Sequence, residues 1–489
     1  MNKGSAIATL TKLILSNKLT RTLASKQIDK MLYKHFIEND NPLYSKKVSM
    51  DRYNGMKSLY KCLLRNMNKG IISKDVAKKI VDTLVGGAMI NCEERDQAIE
   101  KYKSAHGETP PAFMTLSPTK RCNLHCEGCY ASSESMSSET LDWDVVDKLM
   151  TELHDDLGMR FFTISGGEPM MYESQGHSIL DLPRKWKDSY FLMYTNGTLI
   201  TPEVAQEMAE LGNITPAISV EGFEKETDER RGQGVYARIL KAFENMKNAK
   251  VPFGVSVTAT SKNYETLMTD DFYDKYFLDL GASYMWMFQY MPIGRKFTTD
   301  LMINPEQRFE LFKKWQVLIG EKNYFVADFW NSAELSSGCI SCGKHYFYVD
   351  WNGNIMPCVF IPYYQDNIKD LYSKGKGIVD AMFSDLFTKG RCWQKEHFTK
   401  KDGKLRNMMM PCLVRDNHKD FVEILKSCDG IKGEDQAATD ALNSEEYHKD
   451  LEQFDEDLKK IEDPYWKEHY EIKDGEEVKE ETESSEEEE

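Results

Sequence analysis

The amino-acid sequence predicts an α/β fold built around a parallel sheet. Six short apolar runs, each as long as a buried strand, follow one another between residues 113 and 291. Segments with helical periodicity separate them, as in the stretch that places Ile239, Leu240, Phe243 and Met246 on one face. Alternation of strands and helices is typical of a parallel sheet. The predicted strands cover residues 113–117, 160–165, 190–195, 214–220, 252–260 and 284–291.

Glycine and polar residues stand at the carboxyl ends of these runs. In barrels of parallel strands, the chemistry lies at that edge. Glycine there lets the backbone approach a ligand closely. The residues concerned are Ser165, Gly166, Gly167, Glu168 and Pro169 after the second run, Asn196 after the third, and Ser219 and Glu221 at the fourth.

Three cysteines, Cys122, Cys126 and Cys129, follow the first predicted strand with the spacing Cys-x3-Cys-x2-Cys, and Tyr130 comes next. Three thiolates on one tight loop can hold three irons of a [4Fe–4S] cube and leave the fourth iron free for another ligand. A structural zinc site normally uses four protein ligands in paired knuckles. A disulfide framework is typical of small secreted domains rather than of a chain of 489 residues.

The cysteine loop, with Gly-Gly-Glu-Pro about forty residues later, resembles the radical S-adenosylmethionine (SAM) superfamily. The resemblance implies a partial (β/α)6 TIM-like barrel and a [4Fe–4S] cluster whose open iron binds SAM. It implies reductive cleavage of SAM to a 5′-deoxyadenosyl radical, which abstracts hydrogen from a substrate. A reducing partner such as ferredoxin or flavodoxin would supply the electron.

The same resemblance implies contacts for individual residues. Tyr130 would pack near the adenine, and the backbone of residues 166–169 would bind the SAM amino group. Ser165 and Asn196 are further predicted cofactor-binding residues at strand ends. Ser219 and Glu221 would contact the ribose or methionine part, with a plain turn as the alternative. Arg231 would bind the SAM carboxylate through a bidentate pair; Arg230 is its rival, and a solvated surface arginine is the alternative.

Six more cysteines follow the predicted barrel. Cys342 and Cys358 flank an alternating strand, an Asp-Trp-Asn-Gly turn and a return strand, which predicts a β-hairpin. This region resembles the opening of SPASM and twitch extensions, which hold auxiliary [4Fe–4S] clusters. The dense cysteine run of a full SPASM domain is missing, which favours one auxiliary cluster of the twitch type. Its predicted ligands are Cys339, Cys342, Cys358 and Cys412, with Cys392 in reserve, whereas Cys62 and Cys92 are predicted to be free thiols.

Charge and composition predict four regions. Residues 1–110 form a basic helical domain, 111–300 the barrel, 301–432 the auxiliary-cluster domain, and 433–489 an acidic, largely disordered tail. The tail has 24 acidic and 6 basic residues, although an amphipathic helix fits residues 447–461. The first ninety residues have 17 basic and 6 acidic residues. A basic helical face can meet an anionic membrane or a phosphorylated substrate, or simply be solvated.

Eleven cysteines grouped as cluster ligands, with neither a signal peptide nor a long apolar run, predict a cytoplasmic protein. We find no nucleic-acid-binding motif. The predicted function is radical modification of a peptide or protein. The alternatives are radical modification of a small molecule or lipid at a membrane surface, and a non-enzymatic iron–sulfur scaffold or electron carrier. The predicted SAM site argues against a carrier, which needs none.

Overall fold

The computed structural model describes residues 14–39, 44–84, 92–399 and 405–471. The described residues ahead of the first strand are mostly helical. Side chains of Asn17, Ser45 and Ser73 accept hydrogen bonds from backbone N–H groups of the helices that follow them, as N-cap residues do. These helices are α1 (Lys18–Tyr33), followed by a π-helical turn (Lys34–Glu38), α2 (Lys46–Asn68), α3 (Lys74–Ile80) and α4 (Glu93–His106).

A ten-stranded sheet forms the centre of the protein. Seven strands pair in parallel in their order along the chain: β1 (Phe113–Leu116), β2 (Phe161–Ile164), β5 (Tyr190–Thr195), β6 (Ile214–Val220), β7 (Gly254–Ala259), β8 (Met285–Gln289) and β9 (Val326–Asp328). Between β2 and β5 lies the hairpin of β3 (Glu173–Ser174) and β4 (His177–Ser178). The predicted α/β class and all six predicted strands are therefore confirmed, and the order is that of an incomplete (β/α) barrel.

Helices between the strands bury one apolar face each. In α5 (Trp143–Asp155) the buried residues Val146, Leu149, Met150 and Leu153 recur at helical spacing. The other helices of this part are α6 (Asp181–Lys185), α7 (Pro202–Leu211), α8 (Glu224–Arg231), α9 (Val235–Ala249), α10 (Tyr264–Leu267), α11 (Asp270–Asp274) and α12 (Pro305–Gly320), with a π-helical turn at Lys275–Leu280 and 3-10 turns at Pro169–Met171 and Thr299–Leu301.

The predicted hairpin between Cys342 and Cys358 is present and extends the sheet at its other end. Its first strand, β10 (Tyr346–Val349), pairs in parallel with β1, and β11 (Asn354–Met356) pairs antiparallel with β10. The region continues with β12 (Tyr363–Tyr364), β13 (Asp366–Asn367), α13 (Ile368–Ser373), α14 (Ile378–Ala381), α15 (Asp385–Phe398), α16 (His418–Ser427) and β14 (Lys432–Gly433); a 3-10 turn (Ala333–Leu335) precedes the hairpin.

The acidic C-terminal region corrects the prediction of a largely disordered tail. Residues 436–469 form α17 (Gln436–Leu442) and α18 (Glu445–His469), so the predicted helix is present and longer than expected. Leu451, Leu458 and Trp466 of α18 are buried, and Tyr470 donates a hydrogen bond of 2.5 Å to Asp51 of α2. The average composition of this region is strongly acidic, but a few apolar residues recur at helical spacing in α18. Burial of these residues packs α18 against the rest of the protein. Residues 472–489 lie outside the described part.

Within the described ranges, we find no helix that combines the length and the apolar character needed to cross a membrane. The predicted domain boundaries remain predictions.

Candidate functional site

A cavity of about 760 Å³ lies inside the barrel, and every parallel strand from β10 to β9 contributes to its wall. The structure places members of both predicted cysteine groups on this wall. Cys122, Cys126 and Cys129 line it beyond the carboxyl end of β1. From the second group, Cys339, Cys358 and Cys412 line the same cavity. Two groups that are distant in sequence thus face one space.

Backbone hydrogen bonds from several elements fix the first cysteine loop. Glu127 N donates to Arg230 O over 2.9 Å, and Arg295 N donates to Cys129 O over 3.0 Å. Gly294 has a φ of +72°, and a Cβ there would lie 2.2 Å from Tyr130 O. The loop after β8, which contains Gly294 and Arg295, therefore packs against the cysteine loop and holds its backbone in place. The sequence did not reveal this role because the contact joins segments that are distant in the chain.

Gly166 and Gly167 line the cavity, as predicted for a close ligand approach. The structure adds a second reason for these glycines. Gly167 N donates to Thr119 O over 2.8 Å, and a Cβ on Gly167 would lie 2.2 Å from Arg121 O. The pair must therefore pack against the backbone that leads into Cys122.

Glu168 and Pro169 differ from the glycines, because neither side chain lines the cavity. The buried Glu168 carboxylate accepts hydrogen bonds from Thr195 Oγ1 (2.7 Å) and Asn196 N (2.8 Å), which tie the end of β2 to the end of β5. Burial raises the pKa of this carboxyl. Asn196 lines the cavity, donates to Asn123 Oδ1 over 2.8 Å, and has its Nδ2 3.9 Å from Cys122 Sγ. Glu168 thus positions the cysteine loop through Asn196.

Glu221 also lies behind the wall rather than on it, and its predicted contact with SAM remains a prediction. Its carboxylate is 1% exposed and accepts hydrogen bonds from Arg230 Nη1 (2.7 Å) and Arg231 Nε (2.8 Å). Both arginines line the cavity. One carboxylate thus holds two guanidinium groups, which leaves a net positive charge beside the cysteine loop. Burial raises the pKa of the Cys126 thiol, and Arg231 and Arg230 oppose that rise.

The remaining predicted cofactor residues line the cavity. A hydrogen bond of 2.7 Å joins Tyr130 Oη to Ser165 Oγ, and burial raises the pKa of Tyr130 to about 12. Ser219 Oγ lies 3.3 Å from Ser256 Oγ of the next strand. Their predicted contacts with SAM remain predictions.

The second cysteine group comes together around Cys339. Burial raises the pKa of Cys342 and Cys412 to about 12 each and that of Cys358 further, and the Cys339 thiol adds to the rise in all three. Cys339 and Cys342 Sγ lie 3.1 and 3.4 Å from Ser341 Oγ. Cys342 is buried behind the wall. The reserve candidate Cys392 is exposed on α15, and none of these thiol interactions involves it.

Hydrogen bonds distinguish candidate ligands from a free thiol. Two donors, Tyr346 Oη and Phe360 N, point at Cys358 Sγ over 2.6 and 3.4 Å. Cys62 Sγ accepts one hydrogen bond, from Arg65 Nη2 over 3.2 Å, but it also donates to Asn323 O over 3.3 Å, as a neutral thiol can. Donors that converge on a buried sulfur suit a thiolate, the form that binds metal. The donor set therefore fits a cluster at Cys358.

In the described ranges, no three His, Cys, Asp or Glu side chains converge tightly enough to hold a single metal ion. A cube has a different requirement, because each thiolate binds its own iron at a separate corner.

An incomplete barrel with three cysteines beyond its first strand has the thiolates that one [4Fe–4S] cluster with an open iron needs. Residues 116–272 match the model of the Radical SAM superfamily, and this stretch contains every predicted SAM-site residue. Residues 116–272 therefore form a radical SAM domain, and members of this superfamily are enzymes. Members of this superfamily bind a [4Fe–4S] cluster and SAM.

Several characterised proteins are similar to this chain. The AdoMet-dependent heme synthase of Methanosarcina barkeri is 25% identical over 294 residues, 53% of this chain and 80% of the relative. The mycofactocin maturase MftC of Mycolicibacterium smegmatis is 26% identical over 313 residues, 61% and 75% of the two chains. The crystal structure of Streptococcus suis SuiB bound to precursor peptide SuiA has a TM-score of 0.49 at 17% identity and covers 62% and 71% of the chains.

Proposed function

We propose that this enzyme modifies a side chain of a peptide or protein inside the barrel cavity. The observation that carries the proposal is the single cavity that both cysteine groups line, since a substrate group inside it lies between them. The similarity to MftC, named as a maturase, and to the sporulation killing factor maturation protein SkfB of Bacillus subtilis, 29% identical over 160 residues, supports a polypeptide substrate.

Cys122, Cys126 and Cys129 would hold the catalytic [4Fe–4S] cluster. When bound, that cluster and SAM supply the 5′-deoxyadenosyl radical, with an electron from a donor such as ferredoxin or flavodoxin. The residues of this chain orient and shield the site. Arg230 and Arg231, held by Glu221, offer a cation to the SAM carboxylate, and Gly166 and Gly167 leave room for its amino group.

Cys339, Cys342, Cys358 and Cys412 would hold one auxiliary cluster, and Cys392, which is exposed on α15, stays the reserve candidate. Donors at Cys358 Sγ and the shared electrostatic effect of Cys339 support this set. These residues would hold the cluster beside the substrate cavity, where it would supply electron-transfer chemistry.

The wall indicates which substrate groups can enter. Aromatic side chains, among them Phe288, Phe329 and Phe360, form much of it. Among the described residues, the charged groups on the wall are arginines, and no Asp, Glu or Lys lines it. A Lys or Arg side chain of the substrate would find no carboxylate partner on this wall. Because an unpaired buried charge is costly, such a side chain is disfavoured in the cavity. We expect an aromatic, aliphatic or anionic substrate side chain.

Anaerobic reconstitution with iron, sulfide and dithionite tests this function in two stages. First, the protein with SAM alone should release 5′-deoxyadenosine; its absence would favour the scaffold or carrier. Second, candidate peptides encoded near the gene should raise that release and gain a mass change. Of two matched peptides, the one with Phe at the modified position should turn over at least tenfold faster than the one with Lys. Equal turnover would contradict the expected selectivity.

A small-molecule or lipid substrate is the second candidate. The similarity to the heme synthase favours a small molecule. Helix α1 favours membrane contact, because Leu19 and Leu23 are 80% and 60% exposed on a helix that carries lysines. Vesicles of phosphatidylglycerol, but not of phosphatidylcholine, should then bind the wild type, and a Leu19→Gln, Leu23→Gln variant should bind at least fivefold less. Equal binding by both proteins would remove this candidate surface.

A further inference from the structure

Tyr346 places a buried hydroxyl group against one of the auxiliary cysteines. The residue begins β10 and pairs with Phe113 of β1. Its ring stacks on Phe113 with centroids 5.2 Å apart and meets Phe329 edge-on at 6.3 Å. Only 2% of the residue is exposed. These contacts fix the ring, so the position of the hydroxyl is set by the sheet and not by the cysteine.

The hydrogen bonds of this hydroxyl have a defined direction. Val359 N donates to Tyr346 Oη over 3.2 Å, and a backbone N–H can only donate. The hydroxyl proton is therefore available for Cys358 Sγ, 2.6 Å away. Phe360 N donates to the same sulfur over 3.4 Å. The N–H of Val359 thus directs the Tyr346 hydroxyl proton to the sulfur, and the N–H of Phe360 donates to the sulfur itself.

We propose that Tyr346 is a positioning residue that raises the reduction potential of an auxiliary cluster bound at Cys358. This inference rests on the auxiliary cluster of the proposed function. Hydrogen bonds to the sulfurs are among the factors that set the potential of an iron–sulfur cluster. Reduction adds negative charge to the cluster and its thiolates, so a donor at Cys358 stabilises the reduced form more than the oxidised form. The hydroxyl therefore favours electron acceptance next to the substrate cavity.

The test is a redox titration of the anaerobic holoenzyme, followed by electron paramagnetic resonance. Tyr346→Phe keeps the ring and removes the donor. We expect about eight irons per chain in both proteins. At a fixed potential, the reduced-to-oxidised ratio of the auxiliary cluster should fall about tenfold in the variant, equivalent to about 59 mV for a one-electron couple. The potential of the cluster at Cys122, Cys126 and Cys129 should stay unchanged.

Tyr348→Phe is the matched control, because Tyr348 is a buried tyrosine of the same strand and, among the described contacts, its hydroxyl bonds to no cysteine. Replacement of Tyr346 by 4-aminophenylalanine retains an N–H donor and should restore the wild-type potential. The 4-aminophenylalanine variant also keeps the test valid if Tyr346→Phe loses iron. If this variant holds eight irons but its auxiliary cluster does not have the wild-type reduction potential, the proposal is overturned.

Other outcomes are separable. Equal auxiliary potentials in the wild type and Tyr346→Phe, or an equal fall in Tyr348→Phe, overturn the role of the hydroxyl while the auxiliary cluster stands. A wild-type protein with about four irons overturns the auxiliary cluster itself and this inference with it, but leaves SAM cleavage at the first cluster intact.

Discussion

The two cysteine groups face the same cavity but are built in different ways. The first lies on one loop, from Cys122 to Cys129, and hydrogen bonds from neighbouring strand ends hold it. The second is assembled from separate segments between Cys339 and Cys412. Its last member depends on a buried charge network: Cys412 N donates to Asp416 Oδ2 over 3.0 Å, and Arg308 Nη2 donates to the same carboxylate over 3.0 Å.

The C-terminal helix completes that network. Glu462 of α18 lies 3.8 Å from Arg308, and Asp455 of α18 accepts a hydrogen bond of 2.6 Å from His418 N. Arg308, Asp416 and Glu462 are all fully buried. The first group should therefore depend on nearby residues, and the second on a helix that follows it in sequence. Mutations can separate these two dependences.

The largest effect is expected when the local group is removed. Replacing Cys122, Cys126 and Cys129 together by Ala should eliminate SAM cleavage and about four irons per chain, since a cube cannot persist without its thiolates. Iron analysis and chromatography of 5′-deoxyadenosine measure both. Continued production of 5′-deoxyadenosine by the triple variant would show that the catalytic cluster lies elsewhere.

Removal of residues 445–489 should have the next largest effect and act on the other group. Without α18, Arg308 and Asp416 lose their cover, so we expect loss of the auxiliary irons and a lower melting temperature. A largely disordered tail, which the composition predicted, would instead be removable without loss of iron. Leu451→Ala should cost about 2–5 kcal/mol of unfolding free energy, and exposed Glu452→Ala should cost little. Full iron content in the truncated protein would contradict this dependence.

The same contrast explains what the sequence could predict. The six strands and the first cysteine loop follow from local patterns, namely short apolar runs and fixed spacing. The pairing of β10 with β1 and the contact of Gly294 with Tyr130 join distant segments, and no local pattern encodes them. The three-residue β9 is too short to stand out. Net charge misled in the tail, because it averages over the apolar residues that face the core.

Loss of two auxiliary ligands should affect the second cysteine group and leave the first intact. Cys342→Ala, Cys358→Ala should lower the iron content from about eight to about four per chain while SAM binding persists, because two thiolates cannot retain a cube. Cys392→Ala is the control and should keep about eight, since Cys392 is exposed away from the group. Mössbauer spectra with iron and zinc analysis provide the measurement; zinc in the wild type at this site would contradict the assignment.

The smallest effect concerns the pH dependence of the network under Cys412. Burial raises the pKa of Glu462 to about 8, with Asp416 nearby adding to the rise and Arg308 and Arg415 opposing it. The unfolded chain has a carboxyl pKa of about 4.3. A raised folded-state pKa stabilises the fold fully below the unfolded value, and this contribution is lost as the pH rises through about 8. Each pH unit in between costs the wild type about 1.4 kcal/mol.

Glu462→Gln cannot ionise, so its unfolding free energy should fall less steeply than that of the wild type between pH 6.5 and 8, a difference of about 2 kcal/mol. Asp455, whose pKa burial raises to about 9, should leave a residual slope in both proteins. Glu456→Gln, at an exposed position of the same helix, should keep the wild-type slope. Urea denaturation at several pH values gives these slopes. Parallel slopes for the wild type and Glu462→Gln would mean that Glu462 is already ionised at pH 6.5 and paired with Arg308, and α18 would then act by ion pairing instead of by covering the network.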